Sequence, residues 1–234
     1  MKNARRYMIF FILVAVVASL LVLMPDAAEP VMRTSKATIV IDAGHGGFDG
    51  GAVGQTGVKE DGINLAVAKK LQKLFEKNGY TVIMTREDEN AVGDTKREDM
   101  AKRREIIENA NADIVVSIHM NKFPNESVSG PQVFFYEHST EGEELARLIQ
   151  QELIEALNPP KVRIEHPEDY YILSSGNCPA VIVECGFLSN EREEKLLQDD
   201  DYQTSCAKAI YRGVDAFLTQ RTQSESTGEF HDPI

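Results

Sequence analysis

Between Ala37 and Thr219, short runs of apolar, often β-branched residues alternate with longer amphipathic stretches, and this alternation narrows the possible folds more than any other feature of the chain. The strand-like runs are 37–42, 80–85, 113–118, 131–136 and 180–184. The helix-like stretches are 61–78, 95–110, 140–157, 191–198 and 201–219. Strands separated by helices need crossover connections, so they lie mostly parallel, and a parallel sheet must be covered on both faces. The expectation is an α/β fold: a single three-layer domain, a mostly parallel mixed sheet with helices on both faces. Within 61–78, Ile63, Val67, Leu71, Leu74 and Phe75 share one face, and Asn78-Gly79 supplies a stop. Gly130-Pro131, after a loop at 121–129, predicts an edge or antiparallel strand, and 158–176, broken by prolines, reads as loop.

Outside this pattern the chain changes character. Lys2, Arg5 and Arg6 stand in a positive segment, 1–7, ahead of an uncharged apolar run at 8–24 that Pro25 and Asp26 close. A positive segment before an apolar run is an export signal. No small-x-small cleavage site follows, which favours an uncleaved N-terminal membrane anchor over a cleaved signal peptide and a secreted protein. Residues 25–36 then read as a linker, 37–220 as the folded domain and 221–234 as a flexible tail. The net charge of −12 opposes a nucleic-acid partner and electrostatic docking on anionic lipid. Cys178, Cys185 and Cys206 form no disulfide framework. Cys206 aligns with Ile210, Val214 and Phe217 as core, and Cys185 points away from its neighbour Glu184.

Polar residues at the edges of the apolar runs carry the chemistry. His45 follows the run 37–42, Glu60 precedes the helix-like Ile63–Ala68, His119 closes 114–118 and Glu184 closes 180–183. The carboxyl edge of an open α/β sheet is where such residues gather. Two imidazoles and a carboxylate can hold Zn²⁺ with a position left for water, and a further carboxylate can take that water's proton. The glycines of Asp42–Ala52 do not fit a phosphate loop. Asp49 stands where G-x-G-x-x-G needs its third glycine, and no Gly-Lys-Ser/Thr follows. They let the backbone turn tightly around His45 instead.

With these residues in view, the chain resembles the zinc-dependent N-acetylmuramoyl-L-alanine amidases often called amidase 3. The resemblance rests on Ile41-Asp42-Ala43-Gly44-His45-Gly46-Gly47, Gly51-Ala52, Glu60 with Asn64-Leu65, and Thr85-Arg86. It continues through Ser117-Ile118-His119-Met120-Asn121, Pro179-Ala180 and Glu184-Cys185-Gly186-Phe187-Leu188-Ser189-Asn190, and so covers about 37–219. It implies one zinc ion per chain on His45, Glu60 and His119, with Glu184 as the catalytic glutamate. It implies hydrolysis of the amide between the lactyl group of N-acetylmuramic acid and L-alanine of the peptidoglycan stem. Asn121 is assigned to substrate or to a local turn, and Arg86 to a structural ion pair. Asp61 stands where relatives often carry Lys. His138, His166 and His231 match no family position and read as surface residues. Within the family the chain is most similar to the spore-cortex amidases, sharing Lys96-Arg97-Glu98-Asp99-Met100 and lacking a wall-binding repeat. In that group stem removal precedes muramic-δ-lactam formation, and some relatives act with a lipoprotein partner. The alternatives are general wall turnover or daughter-cell separation, a stem-peptide carboxypeptidase, and a non-catalytic peptidoglycan-binding module.

Overall fold

The computed structural model describes residues 36–227. Six strands, β1 (Thr38–Ala43), β2 (Thr81–Met84), β3 (Ile114–Asn121), β4 (Gln132–Tyr136), β5 (His166–Glu168) and β6 (Ala180–Phe187), form one sheet in the order β2-β1-β3-β6-β4-β5. β2, β1, β3 and β6 are parallel to one another, whereas β4 is antiparallel to β6 and parallel to β5. The helices are α1 (Glu60–Lys77), α2 (Lys96–Asn109), α3 (Thr140–Leu157), α4 (Glu191–Leu197) and α5 (Asp200–Thr227). The expected mostly parallel mixed sheet is therefore present, with β4 the antiparallel strand that Gly130-Pro131 announces.

Strand alternation sends successive side chains to opposite faces. Ile39, Ile41, Ile114, Val116, Ile118, Val181 and Val183 turn to the side packed by α1, α3 and α5 through Leu71, Leu145, Ile149, Ile210 and Val214. Val40, Val115, Phe134 and Ile182 turn the other way, against Ile107 of α2 and Ile172 and Leu173 of a 3₁₀ turn at Tyr171–Ser174. Cys185 and Cys206 are fully buried on the first side, as expected. On that side α3 and α5 approach so closely that a Cβ at Gly213 would lie 2.6 Å from Ile149 Cα.

Three boundaries differ from the sequence reading. β3 and β6 run on to Asn121 and Phe187 because Met120 and Phe187 remain buried beyond the apolar runs. The segment 158–176 is not all loop: β5 pairs with the outer edge of β4, and the 3₁₀ turn follows it. Phe134 anchors both, with ring centroids 6.0 Å from His166 and 5.8 Å from Tyr170. The tail expected from 221 is helical through Thr227, since the packed part of α5 supplies the nucleus from which further turns propagate. The positive segment, the apolar run 8–24 and most of the linker lie outside the described residues, as does His231. Among the described residues no helix is long and apolar enough to cross a membrane.

Candidate metal centre

The sheet register assembles the site. β3 and β6 pair His119 directly with Glu184, and β1 and β3 pair Asp42 with Ser117. Alternation puts these four on the face covered by α2, at the carboxyl end of the parallel strands. His45 follows two residues after β1, and Glu60 opens α1 with its side chain buried beneath both histidines. His45 Nε2 lies 3.3 Å from Glu60 Oε2, and His119 Nδ1 lies 2.8 Å from Glu60 Oε1. One ligand atom from each of the three residues falls within 4.8 Å of the others. Tetrahedral zinc with ligands at about 2.0–2.1 Å sets neighbouring ligand atoms roughly 3.3 Å apart, so this donor set has the right size and composition.

The carboxylate of Glu60 is fixed from three sides. Ala52 N–H donates to Oε2 (2.8 Å), while Met120 N–H and Asn64 Nδ2 donate to Oε1 (both 3.1 Å). Asp49 Oδ2 sits 3.0 Å from Nδ1 of His45, which leaves Nε2 turned toward Glu60. A carboxylate on the far nitrogen sets the tautomer of a ligating histidine. The His45–Asp49 pair spans four residues inside a glycine loop, so the sequence carries its signal, although there Asp49 reads only as the residue that spoils a phosphate motif. The hairpin ahead of Glu60 is latched by buried Glu194, which accepts from Thr56 N–H (2.9 Å) and Oγ1 (2.8 Å).

His45 itself is strained. Its φ of 60° is the left-handed conformation that a β-carbon disfavours. Two buried arginines hold it there. Arg103 donates to Ala43 O (2.7 Å) and His45 O (2.5 Å) while pairing with Asp42 (2.7 Å) and Asp99 (2.6 Å). Arg86 donates to Ala43 O (2.8 Å), Gly44 O (2.9 Å), Asp61 O (2.8 Å) and Asp88 O (2.7 Å). The ion pair expected of Arg86 is thus replaced by a clamp on backbone carbonyls, where a planar, multi-donor guanidinium is most useful. Burial alone would raise the Asp42 carboxyl, but Arg103, Ser117 and Thr85 outweigh it and hold it below the ordinary range. Glycine is obligatory at two places here. A Cβ at Gly44 would enter the His119 ring at 2.2 Å, and one at Gly51 (φ +66°) would meet Glu60 Oε2 at 2.5 Å.

The electrostatics ask for a cation. Burial by itself would depress His45, yet Glu60 and Asp49 bring it up to about 9. Burial likewise opposes charge on His119, and Glu60 overcomes it to raise that imidazole. Burial would raise Glu60, but the two imidazoles drive it far below the usual carboxylate range. Glu184 goes the other way: burial pushes it up to about 7, opposed by His119 and assisted by Glu60. The residue is only half-buried, yet its Oε2 is sealed from solvent and has no hydrogen-bond partner. A buried acceptor without a donor, beside two histidines and a carboxylate, fits a site completed by a bound cation and water. Asn121 ends β3, and its side-chain oxygen accepts from Lys122 N–H at 2.8 Å. His138 and His166 are exposed, away from the cluster.

Known proteins place this geometry. The chain is 35% identical, over 78% of its length and 80% of the relative's, to the germination-specific N-acetylmuramoyl-L-alanine amidase of Bacillus subtilis. The CwlD amidase of Clostridioides difficile, solved in complex with the GerS lipoprotein, superposes with a TM-score of 0.76 at 42% identity, covering 79% of this chain and 99% of that one. An N-acetylmuramoyl-L-alanine amidase from Clostridium difficile 630 gives a TM-score of 0.74 at 29% identity, covering 80% and 99%. The Amidase_3 family model matches residues 39–216, a span that contains His45, Glu60, His119 and Glu184 together with the sheet edge that unites them. This chain therefore belongs to the Amidase_3 family and is an N-acetylmuramoyl-L-alanine amidase.

Proposed function

We propose that the enzyme is a one-zinc hydrolase in which His45, Glu60 and His119 are the ligands and Glu184 is the general base and acid. The observation that carries this reading is the register pairing of His119 with Glu184, which sets an unpartnered carboxylate beside the three-ligand cluster. Zinc held there supplies an acidified water and a polarised scissile carbonyl. The chain's own residues do the rest. Glu184 removes a proton from the attacking water and delivers it to the departing alanine nitrogen as the lactyl–alanine amide breaks. Its raised pKa suits both halves of that transfer. Asp49 keeps His45 in the ligating tautomer, and Glu60 contributes a fixed negative charge. Asn121, two residues beyond His119, has its amide protons free to donate to substrate. Digestion of purified peptidoglycan tests the reaction. New L-alanine amino termini should appear with no new reducing ends; new amino termini within the stem would indicate a carboxypeptidase.

The biological setting we propose is the spore cortex. The similarity to a germination-specific amidase supports it, as does the apolar run 8–24 behind Lys2, Arg5 and Arg6, read as an uncleaved anchor. A tethered enzyme reaches only peptidoglycan facing its membrane, which the forespore membranes provide. Stem removal would then be the first step toward muramic-δ-lactam. The solved complex of CwlD with a lipoprotein supports a lipoprotein partner here too. Muropeptide profiles of deletion spores decide the setting. Cortex without muramic-δ-lactam is expected, and normal lactam with chained vegetative cells would assign the enzyme to cell separation.

A further inference from the structure

From the metal cluster a cleft of about 210 Å³ runs along the start of α2 toward the 3₁₀ turn. Its walls include His45, Asp49, Lys96, Met100, Tyr170 and Tyr171. The two tyrosines are 44% and 47% exposed and form an open aromatic side. Arg104 lies over the Tyr171 ring at 5.2 Å, which fixes that wall. Two cations border the cleft. Arg103 is fully committed to Asp42, Asp99 and two carbonyls, so it has nothing left for a ligand. Lys96 is different: its side chain is 75% exposed, and its one contact is a loose 3.6 Å approach to Asp49 Oδ2.

Resting on the amidase reading, we infer that Lys96 is a specificity-determining residue that receives the free α-carboxylate of the second stem residue. That residue is a glutamate joined through its side chain, so an anionic carboxylate remains on its backbone. It stands two residues from the scissile amide, roughly 7 Å along an extended chain. Lys96 lines the same cleft as His45 and His119, with Asp49 Oδ2 between its ammonium (3.6 Å) and the outer nitrogen of His45 (3.0 Å). The protein carries a net charge of −12, so its overall field repels an anionic stem, and recognition must come from a local cation. Lys96 pairs with Asp49 at 3.6 Å and keeps ammonium donors to spare for a second carboxylate. Tyr170 and Tyr171 line the same cleft and offer aromatic surface to the flank of a peptide so held.

The test uses the zinc-loaded full chain and matched muramyl tripeptides that differ only in carrying the second-residue α-carboxylate free or as its amide. Wild type should favour the acid by roughly fivefold in kcat/KM, the upper range for an exposed ion pair, and the difference should appear in KM. Lys96→Gln should bring the ratio to near one, Lys96→Glu should invert it, and Lys96→Arg should keep it. A structural role would lower both rates and leave the ratio unchanged. Equal rates in wild type, or an undiminished preference in Lys96→Gln, would overturn the assignment while leaving the amidase reading intact. Failure to cleave either peptide would remove both.

Discussion

At the scale of single residues, the site separates groups that bind from the group that moves protons. Glu184→Gln keeps the shape of the side chain and removes its basicity. Turnover should drop about 10²–10⁴-fold, with zinc content by elemental analysis unchanged. Near-normal turnover in that variant would dismiss Glu184 as the base. Arg103 acts at one remove, through the carbonyl of His45 and the carboxylate of Asp42. Replacing it with Met strands a buried charge, a change that typically costs about 3–5 kcal/mol at neutral pH. In wild type the Asp42 pKa is lowered, so its stabilisation is present above the unfolded carboxyl pKa and fades as pH falls through the folded one. In Arg103→Met the chief lowering influence is gone, so Asp42 takes up a proton at higher pH than in wild type, which relieves the unpaired charge. Denaturant unfolding should therefore show a smaller penalty at pH 4.5 than at pH 7, where the orphaned carboxylate is ionised. A penalty independent of pH would show that Asp42 is not what Arg103 neutralises.

At the scale of elements, periodicity marks the five helices and five of the six strands of the described residues, because burial and period coincide along them. The extremes were not legible. β5 is three residues long and exists because β4 offers an unpaired edge, which is a tertiary fact. The ends of β3 and β6 are stabilised by burial of Met120 and Phe187, beyond the apolar runs that marked them. The four chemistry-bearing residues stood out as polar groups closing or preceding apolar runs, whereas the orienting groups did not. Asp49, Arg103 and Glu194 look like ordinary surface charges in sequence, and only the fold turns them inward. The close crossing of α3 and α5 was also invisible, since a lone glycine in a helix reads as a weakness. Gly213→Val should destabilise the domain by about 1–3 kcal/mol through overpacking against Ile149, measured by denaturant midpoint with no change in zinc affinity. An unchanged midpoint would mean that the helices can separate without loss.

At the scale of the whole molecule, zinc and folding are linked, because the three ligands come from a loop, a helix start and a strand end. Free zinc at about 100 times its dissociation constant should add roughly 2.7 kcal/mol to stability, a Tm rise of about 5–10 °C for a domain of this size. Chelation should remove it, and His119→Ala should show no zinc-dependent shift. Without metal His45 titrates at about 9, so at pH 7 it carries a proton that binding must displace. Calorimetry in buffers of different ionisation heat should detect that proton, and apparent zinc affinity should climb as pH rises from 7 toward 9. A pH-independent affinity would contradict the placement of Glu60 and Asp49 around His45. The strand order carries one more consequence. β6 is the last strand to be synthesised, yet it occupies the interior of the sheet between β3 and β4. Until the ribosome has passed Phe187, β3 and β4 have no neighbour to join them, and Glu184 has no place beside His119. A chain cut short before β6 therefore carries all three metal ligands but lacks the carboxylate that would move the proton.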